Sequence, residues 1–252
     1  KKFKNLKFFI SPTTGHNHVD LEYLKKKKIK YFFLNTSDKD IKNISSTAEL
    51  TVTMILNSIR NIHEILKDTK KSKFNRYKYK FKQFRNYSVG IIGFGRVGKK
   101  VYKYLRNLDF KIKIFDINLK KPKFNFKEII SSCDILTFHI PYRGKKILDK
   151  KNLNFLKKNV KLVNTSRGEL MDEKILYFFL KKNPRIQYWT DVISNEQVRI
   201  KMIKNDKKFQ KINKLKNFFI TPHIGGASTD AMKNVEKYIF AKVKPKIKSF
   251  KC

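Results

Sequence analysis

The chain has 252 residues, enough to bury one large core or two modest ones. Sixty Lys and Arg against twenty Asp and Glu give a formal net charge of +40, yet the lysines are spread along the whole chain, so the charge reads as solvated surface and argues against a specific nucleic-acid partner. No apolar run approaches the ~18 residues of a bilayer-crossing helix, and the two cysteines, Cys133 and Cys252, offer neither a disulfide framework nor metal-ligand spacing, so the expectation is a soluble, cytoplasmic protein without a metal site or membrane partner.

Short apolar runs rich in Ile, Val, Phe and Tyr predict strands at 7–10, 29–34, 89–93, 111–115, 135–140, 161–165, 186–192 and 218–221. Their continuity predicts burial on both faces. Helical periodicity fills many of the gaps, as at 96–107, 150–156 and 172–182. Alternating strand and helix predicts an α/β fold, a doubly wound parallel sheet with crossover helices on both faces. A longer helix is predicted over 47–67, with Val52, Ile55, Leu56, Ile59, Ile62 and Leu66 at helical spacing. It runs into a basic stretch, 67–86, that lacks glycine and proline and reads as an exposed connector at a domain seam. A last helix is expected from about residue 229.

The strongest local motif is VGIIGFGRVGKKV at 89–101, in which Gly93, Gly95 and Gly98 form G-x-G-x-x-G between a predicted strand and a predicted helix. The first glycine permits a tight turn, the second lets backbone approach a pyrophosphate, and the third lets helix and strand pack closely. The helix N-terminus then offers free N–H groups and partial positive charge to phosphates. The next strand ends in Asp116, where a carboxylate would meet a ribose 2′-hydroxyl and repel a 2′-phosphate. The expected cofactor is therefore NAD in preference to NADP.

Glycines recur at Gly168, Gly225 and Gly226, again in strand-to-loop turns, which places the functional edge at the carboxyl ends of the strands. KLVNTSRG brings Arg167 to that edge, where its planar fork can hold a carboxylate by two parallel hydrogen bonds. DVISNE brings Asp191 and Glu196, and TPHIGG brings His223. An imidazole beside a carboxylate is a workable general acid/base. His63, His139, His16 and His18 are weaker candidates, His139 reading as a strand-end residue.

The stretches TTGHNHVD (13–20), STAELTVTMIL (46–56), GIIGFGRVG (90–98), FHIP (138–141), LVNTSRGELMDE (162–173), DVISNE (191–196) and FFITPHIGGAS (218–228) resemble, in this order, the D-isomer-specific 2-hydroxyacid dehydrogenases of the phosphoglycerate-dehydrogenase-like branch. The resemblance spans about residues 10 to 243. It implies a Rossmann-type NAD domain at 46–228, with the 47–67 helix and the 67–86 connector, and a smaller flavodoxin-like substrate domain formed by 1–45 and the returning 229–252 helix. It also implies hydride transfer between NAD and C2 of a small anionic D-2-hydroxy or 2-keto acid, with a 3-phosphoglycerate-like acid among the candidates, and a homodimer built through the 47–67 region.

Residue by residue, the resemblance implies that Arg167 binds the substrate carboxylate and keto oxygen, that His223 donates and accepts the proton, and that Glu196 is hydrogen-bonded to it. It places Asp191 near the nicotinamide carboxamide, Arg96, Val97, Pro141, Thr165 and His223 among the cofactor contacts with Gly93, Gly95, Gly98 and Asp116, and Thr14 and Gly15 in a substrate-binding loop. The pattern has departures: the first strand resembles one from the middle of the family's N-terminal domain, so that domain's opening units are expected to be missing. Gln197 stands where a proline is common, Phe74 where the connector often has tryptophan, and the loop after Pro141 is short. Two other readings remain open, a catalytically weak NAD-binding regulator of the same fold and a nucleic-acid-binding protein.

Overall fold

Each of the eight apolar runs forms a strand. In a computed structural model, which describes residues 5–13, 19–35, 41 and 43–248, they are β1 (Phe8–Ser11), β2 (Lys30–Phe33), β3 (Ser88–Ile92), β4 (Lys111–Phe115), β5 (Ile135–Phe138), β6 (Lys161–Asn164), β7 (Gln187–Thr190) and β8 (Phe218–Ile220). The helices are α1 (Leu21–Lys26), α2 (Ser46–Arg60), α3 (Ile62–Lys70), α4 (Arg96–Asn107), α5 (Phe126–Ser132), α6 (Lys150–Leu153), α7 (Glu173–Lys182), α8 (Glu196–Arg199), α9 (Lys207–Asn213) and α10 (Thr229–Lys248). The chain divides into two units, Lys1–Ser46 with Gly226–Cys252, and Thr47–Gly225.

In the larger unit all six strands are parallel, in the order β4-β3-β5-β6-β7-β8. The chain leaves β3 for β4 on one side and returns to β5 on the other, so the winding reverses between β3 and β5 and opens a crevice at their carboxyl ends. Period-two alternation explains why the strands read as unbroken apolar runs. Leu136 and Phe138 face one core with Ile129 and Ile130 of α5, Leu153 of α6, Leu176 and Leu180 of α7 and Ile212 of α9. Ile135, Val89, Ile91 and Val163 face the other, with Val101 and Leu105 of α4 and Met54, Ile55 and Ile59 of α2. Fully burying side chains of this size contributes roughly 1.5–3 kcal/mol each before entropy is counted.

In the smaller unit β1 and β2 pair in parallel, with Phe8 opposite Lys30. Val235, Ile239 and Val243, spaced four apart on α10, bury with Leu34 and Ile41 in a separate apolar cluster.

The helix expected over 47–67 is instead two helices. Asn61 takes a left-handed conformation, φ 54 and ψ 34, which ends α2 and restarts the chain as α3. Asparagine tolerates that region better than most residues. The apolar stripe consequently stops reaching the core: Ile55 and Ile59 are buried, while Ile62 and Leu66 are exposed. The connector also has more structure than expected. It holds two 3₁₀ turns, Arg76–Tyr79 and Phe84–Asn86. Lys78 and Tyr79 both donate to Asp68, and Phe84 stacks on Phe110 with ring centroids 5.0 Å apart. Phe74 and Tyr77 remain exposed.

The short helices α1, α5 and α9 carry little periodic signal but are started by side-chain caps. Asp20 accepts from Tyr23 N–H, Asp206 from Lys208 and Phe209 N–H, and Asn125 forms a reciprocal capping box with Glu128.

Candidate active site

β3 ends at Ile92 and the chain turns through Gly93 at φ +97, where a side chain would be strained. A Cβ there would also lie 2.5 Å from the His139 carbonyl oxygen. Gly98, in the first turn of α4, is packed so closely that a Cβ would sit 2.1 Å from the Gly93 oxygen. Gly95 is different. It is the N-cap of α4, exposed, with nothing within 4 Å of where a Cβ would be. Here is an open cradle at a helix N-terminus, lined by backbone and free of side-chain bulk.

Asp116 closes the other side of that cradle. Its carboxylate accepts from Phe94 N–H at 2.6 Å and Asn118 N–H at 2.8 Å. Burial pulls its pKa up, but the hydrogen bonds from Phe94 and Asn118, helped by Lys99, outweigh it and hold the group below its ordinary value. An ionised acid therefore stands at the end of β4, beside open backbone N–H groups. Those features fit a dinucleotide, for which Gly95 would face the pyrophosphate and Asp116 the ribose. Arg96 and Val97 occupy the first turn of α4, where burial lowers the Arg96 pKa. Pro141 is exposed beyond β5.

The other half of the edge is held by polar side chains. Asn164, the last residue of β6, is buried, and its amide organises the turn that follows: it accepts from Ser166 N–H at 3.1 Å and Ser166 Oγ at 2.8 Å, and donates to the Arg167 carbonyl at 2.9 Å. Arg167 emerges from this turn half-buried, donating from Nη1 to the Ser166 carbonyl at 2.6 Å. Among the described residues it makes no ion pair. A half-buried cation beside a turn, without a carboxylate of its own among the described residues, suits an anionic ligand.

The structure brings Glu196 and His223 together. His223 Nδ1 lies 2.8 Å from both Glu196 oxygens. A carboxylate accepts, so the contact favours a proton on Nδ1, and in the neutral imidazole Nε2 then carries the lone pair. His223 sits at φ 55 in a loop anchored by Asp191, which is 2% exposed. Asp191 accepts from Thr221 Oγ1 at 2.5 Å, Ile224 N–H at 2.8 Å and Gly225 N–H at 2.7 Å. Arg167 shares the strand edge with this pair and makes no direct hydrogen bond to it among the described residues.

Thr165 is buried with its hydroxyl 2.7 Å from Thr51 Oγ1, and Thr47 Oγ1 donates to the Gly225 carbonyl at 3.0 Å. Thr47, Thr51 and Thr221 are supports that strand and helix patterns do not single out; only their partners, 30 or more residues away, reveal them. Thr14 and Gly15, with His16 and His18, lie outside the described residues. His63 is set edge-on to Trp189 and Phe219, at centroid distances of 5.4 and 4.6 Å, away from this constellation. His139 has Nε2 3.0 Å from Thr137 Oγ1, and burial pushes its pKa down to about 3.

Residues 52–225 match the family described as D-isomer specific 2-hydroxyacid dehydrogenase, NAD binding domain. The chain is 28% identical over 229 residues to a D-3-phosphoglycerate dehydrogenase of Haemophilus influenzae, covering 88% of this chain and 54% of that protein. It is 34% identical over 206 residues to an erythronate-4-phosphate dehydrogenase of Wigglesworthia glossinidia brevipalpis, covering 77% of this chain and 48% of the relative. It thus spans about half the length of these two relatives. The crystal structure of a D-lactate dehydrogenase from Aquifex aeolicus, complexed with NAD and lactic acid, superposes with a TM-score of 0.82 at 25% identity, covering 98% of this chain and 78% of that one. No described helix is long and apolar enough to cross a membrane. The matched span, the doubly wound sheet and the glycine cradle together make this chain a member of the D-isomer specific 2-hydroxyacid dehydrogenase family, with its NAD-binding domain at residues 52–225.

Proposed function

We propose that the protein is an NAD-dependent oxidoreductase that interconverts a small D-2-hydroxy acid and its 2-keto acid. The observation that carries this reading is the Glu196–His223 pair at 2.8 Å, on the same strand edge as the unpaired Arg167 and the glycine cradle. When bound, the nicotinamide accepts or supplies the hydride. His223 Nε2 takes the substrate hydroxyl proton in oxidation and returns it in reduction, while Glu196 fixes the tautomer and stabilises the imidazolium. Arg167 grips the substrate carboxylate and stabilises the carbonyl dipole, an effect worth on the order of 10² to 10³ in rate. Asp191 holds the His223 loop in register, so that the histidine meets the substrate at a defined distance from the cofactor cradle.

The two unit boundaries support reading 1–46 with 226–252 as the substrate domain. The exposed Ile62, Leu66, Phe74, Tyr77 and Phe81 on α3 and the connector are the surface we assign to a second copy of the chain, and light scattering of Leu66→Lys, expected to be monomeric, tests that assignment. The compartment we assign is the cytoplasm, where the buried Cys133 thiol stays reduced. The dispersed charge calls for no specific nucleic-acid partner.

A panel of small 2-keto acids, phosphorylated ones included, with NADH and the full-length natural protein tests the reaction through loss of nicotinamide absorbance. Consumption with formation of the D-hydroxy acid supports it. NADH binding without turnover on any acid of the panel overturns it in favour of a regulatory NAD-binding protein.

A further inference from the structure

We propose that Arg199 is a positioning residue for the Glu196–His223 pair, an inference that rests on the catalytic reading above. The segment bearing Glu196 has little hydrophobic anchorage. α8 spans only Glu196–Arg199 and buries no residue, and the 3₁₀ stretch Ile200–Asn205 that follows buries none either. Val198, Ile200 and Met202 are 72%, 56% and 63% exposed. Asn195, which enters α8, sits in the left-handed region at φ 52. Apolar burial therefore cannot be what holds Glu196 against the imidazole.

A polar clamp replaces it. Arg199 Nη1 donates to Glu173 Oε1 at 2.5 Å and to the Ser194 carbonyl at 3.0 Å, and Nε donates to Asp206 Oδ2 at 2.5 Å. Glu173 Oε1 also accepts from Ser194 N–H at 3.2 Å, so the Arg199–Glu173 pair grips residue 194 by both its N–H and its carbonyl. One residue on, Asn195 N–H donates to Glu169 Oε1 at 3.0 Å. Glu169 and Glu173 belong to the segment that follows Arg167, and beneath them Gly168 is so close that a Cβ would lie 2.1 Å from the Ile193 carbonyl carbon. The clamp thus ties the arginine-bearing loop of β6 to the glutamate-bearing loop of β7.

The three charged side chains are 16%, 20% and 13% exposed for Arg199, Glu173 and Asp206, enough desolvation for charge-assisted bonds to hold geometry. Only a planar fork reaches two carboxylates and a carbonyl from one position; an ammonium on a flexible stem cannot.

The test pairs Arg199→Lys, which keeps the charge, with Arg199→Met, each alone and combined with Glu196→Gln. Arg199→Lys is expected to lower kcat about tenfold, as displacement of a catalytic pair does, while the NADH dissociation constant stays within about twofold. In the Glu196→Gln background the same substitution should cost less than about twofold, because the pair it serves is already broken. Full additivity of the two losses, or a wild-type kcat for both Arg199 variants, overturns the proposal. If the wild-type protein turns over no acid, the catalytic reading falls separately. The clamp is then decided by the nuclear magnetic resonance signal of the His223 Nδ1 proton: its loss in Arg199→Lys at an unchanged melting temperature supports positioning, and its retention refutes it.

Discussion

The two halves of the strand edge achieve order by opposite means. Around β3 and β4 the site is made by absence: Gly98 lets backbone touch backbone, and Gly95 leaves a space that any side chain would enter. Around β6, β7 and β8 it is made by crowded polar groups, with Asn164, Asp191, Glu173 and Arg199 each serving two or more partners. The first half needs few residues and can be spelled in one short motif. The second requires side chains to reach segments 26 to 34 positions away, so disrupting one member disturbs several loops at once.

The largest effect that would sharpen this contrast is chemical. His223→Ala should lower turnover by roughly 10² to 10⁴, the range of a lost general acid/base, and leave NADH binding almost unchanged because the glycine half is intact. Loss of NADH binding in step with turnover would show that the two halves are not separable. Arg167→Lys should be nearly as damaging to turnover, since a point charge forms no parallel pair of bonds.

Next in size is a pair of glycine substitutions. Gly98→Ala forces a Cβ to 2.1 Å from the Gly93 oxygen, and overpacking of this kind costs about 1–3 kcal/mol, visible as a lower denaturant midpoint. Gly95→Ala meets nothing within 4 Å and should change stability by less than about 1 kcal/mol while weakening NADH binding. Equal destabilisation by both would refute the division between packing glycine and cradle glycine.

Smaller still is the effect at Asp116. Asp116→Asn keeps an acceptor for Phe94 N–H but removes the charge, and should narrow the preference for NADH over NADPH by about tenfold, the scale of one like-charge contact near a surface. Fluorescence titration of both cofactors measures it, and an unchanged ratio would mean the carboxylate does not face the ribose.

A separate effect, on stability alone, concerns pH. Burial depresses His139 from 6.5 to about 3, so the unfolded chain binds a proton there that the folded chain refuses. Its contribution to stability is fully present above about 6.5 and is lost as the pH falls toward about 3. Urea midpoints compared between about pH 7.5 and about pH 5.5, roughly one unit either side of an ordinary histidine, should fall less steeply for His139→Gln than for the native chain.

Much of this molecule follows from local pattern. Continuous apolar runs located all eight described strands, because burial on both faces demands such runs wherever helices cover both sides of a sheet. The glycine spacing and Asp116 likewise follow from what a backbone must do to approach a phosphate and a ribose, and both lie within 24 residues of one another at 93–116. Tertiary structure alone decided the rest. The break at Asn61 depends on a single left-handed residue that the apolar spacing on either side conceals. The Arg199 clamp that spans 26 positions back to Glu173 depends on which loops the strand order makes neighbours, whereas the pairing of Glu196 with His223 across 27 positions is expected from the family resemblance and not from local pattern. Arg167 could be picked out by its place at a strand end, but Arg199 looks like any other of the sixty Lys and Arg in sequence; it is desolvation and two fixed carboxylate partners, conferred only by folding, that set Arg199 apart from the solvated majority.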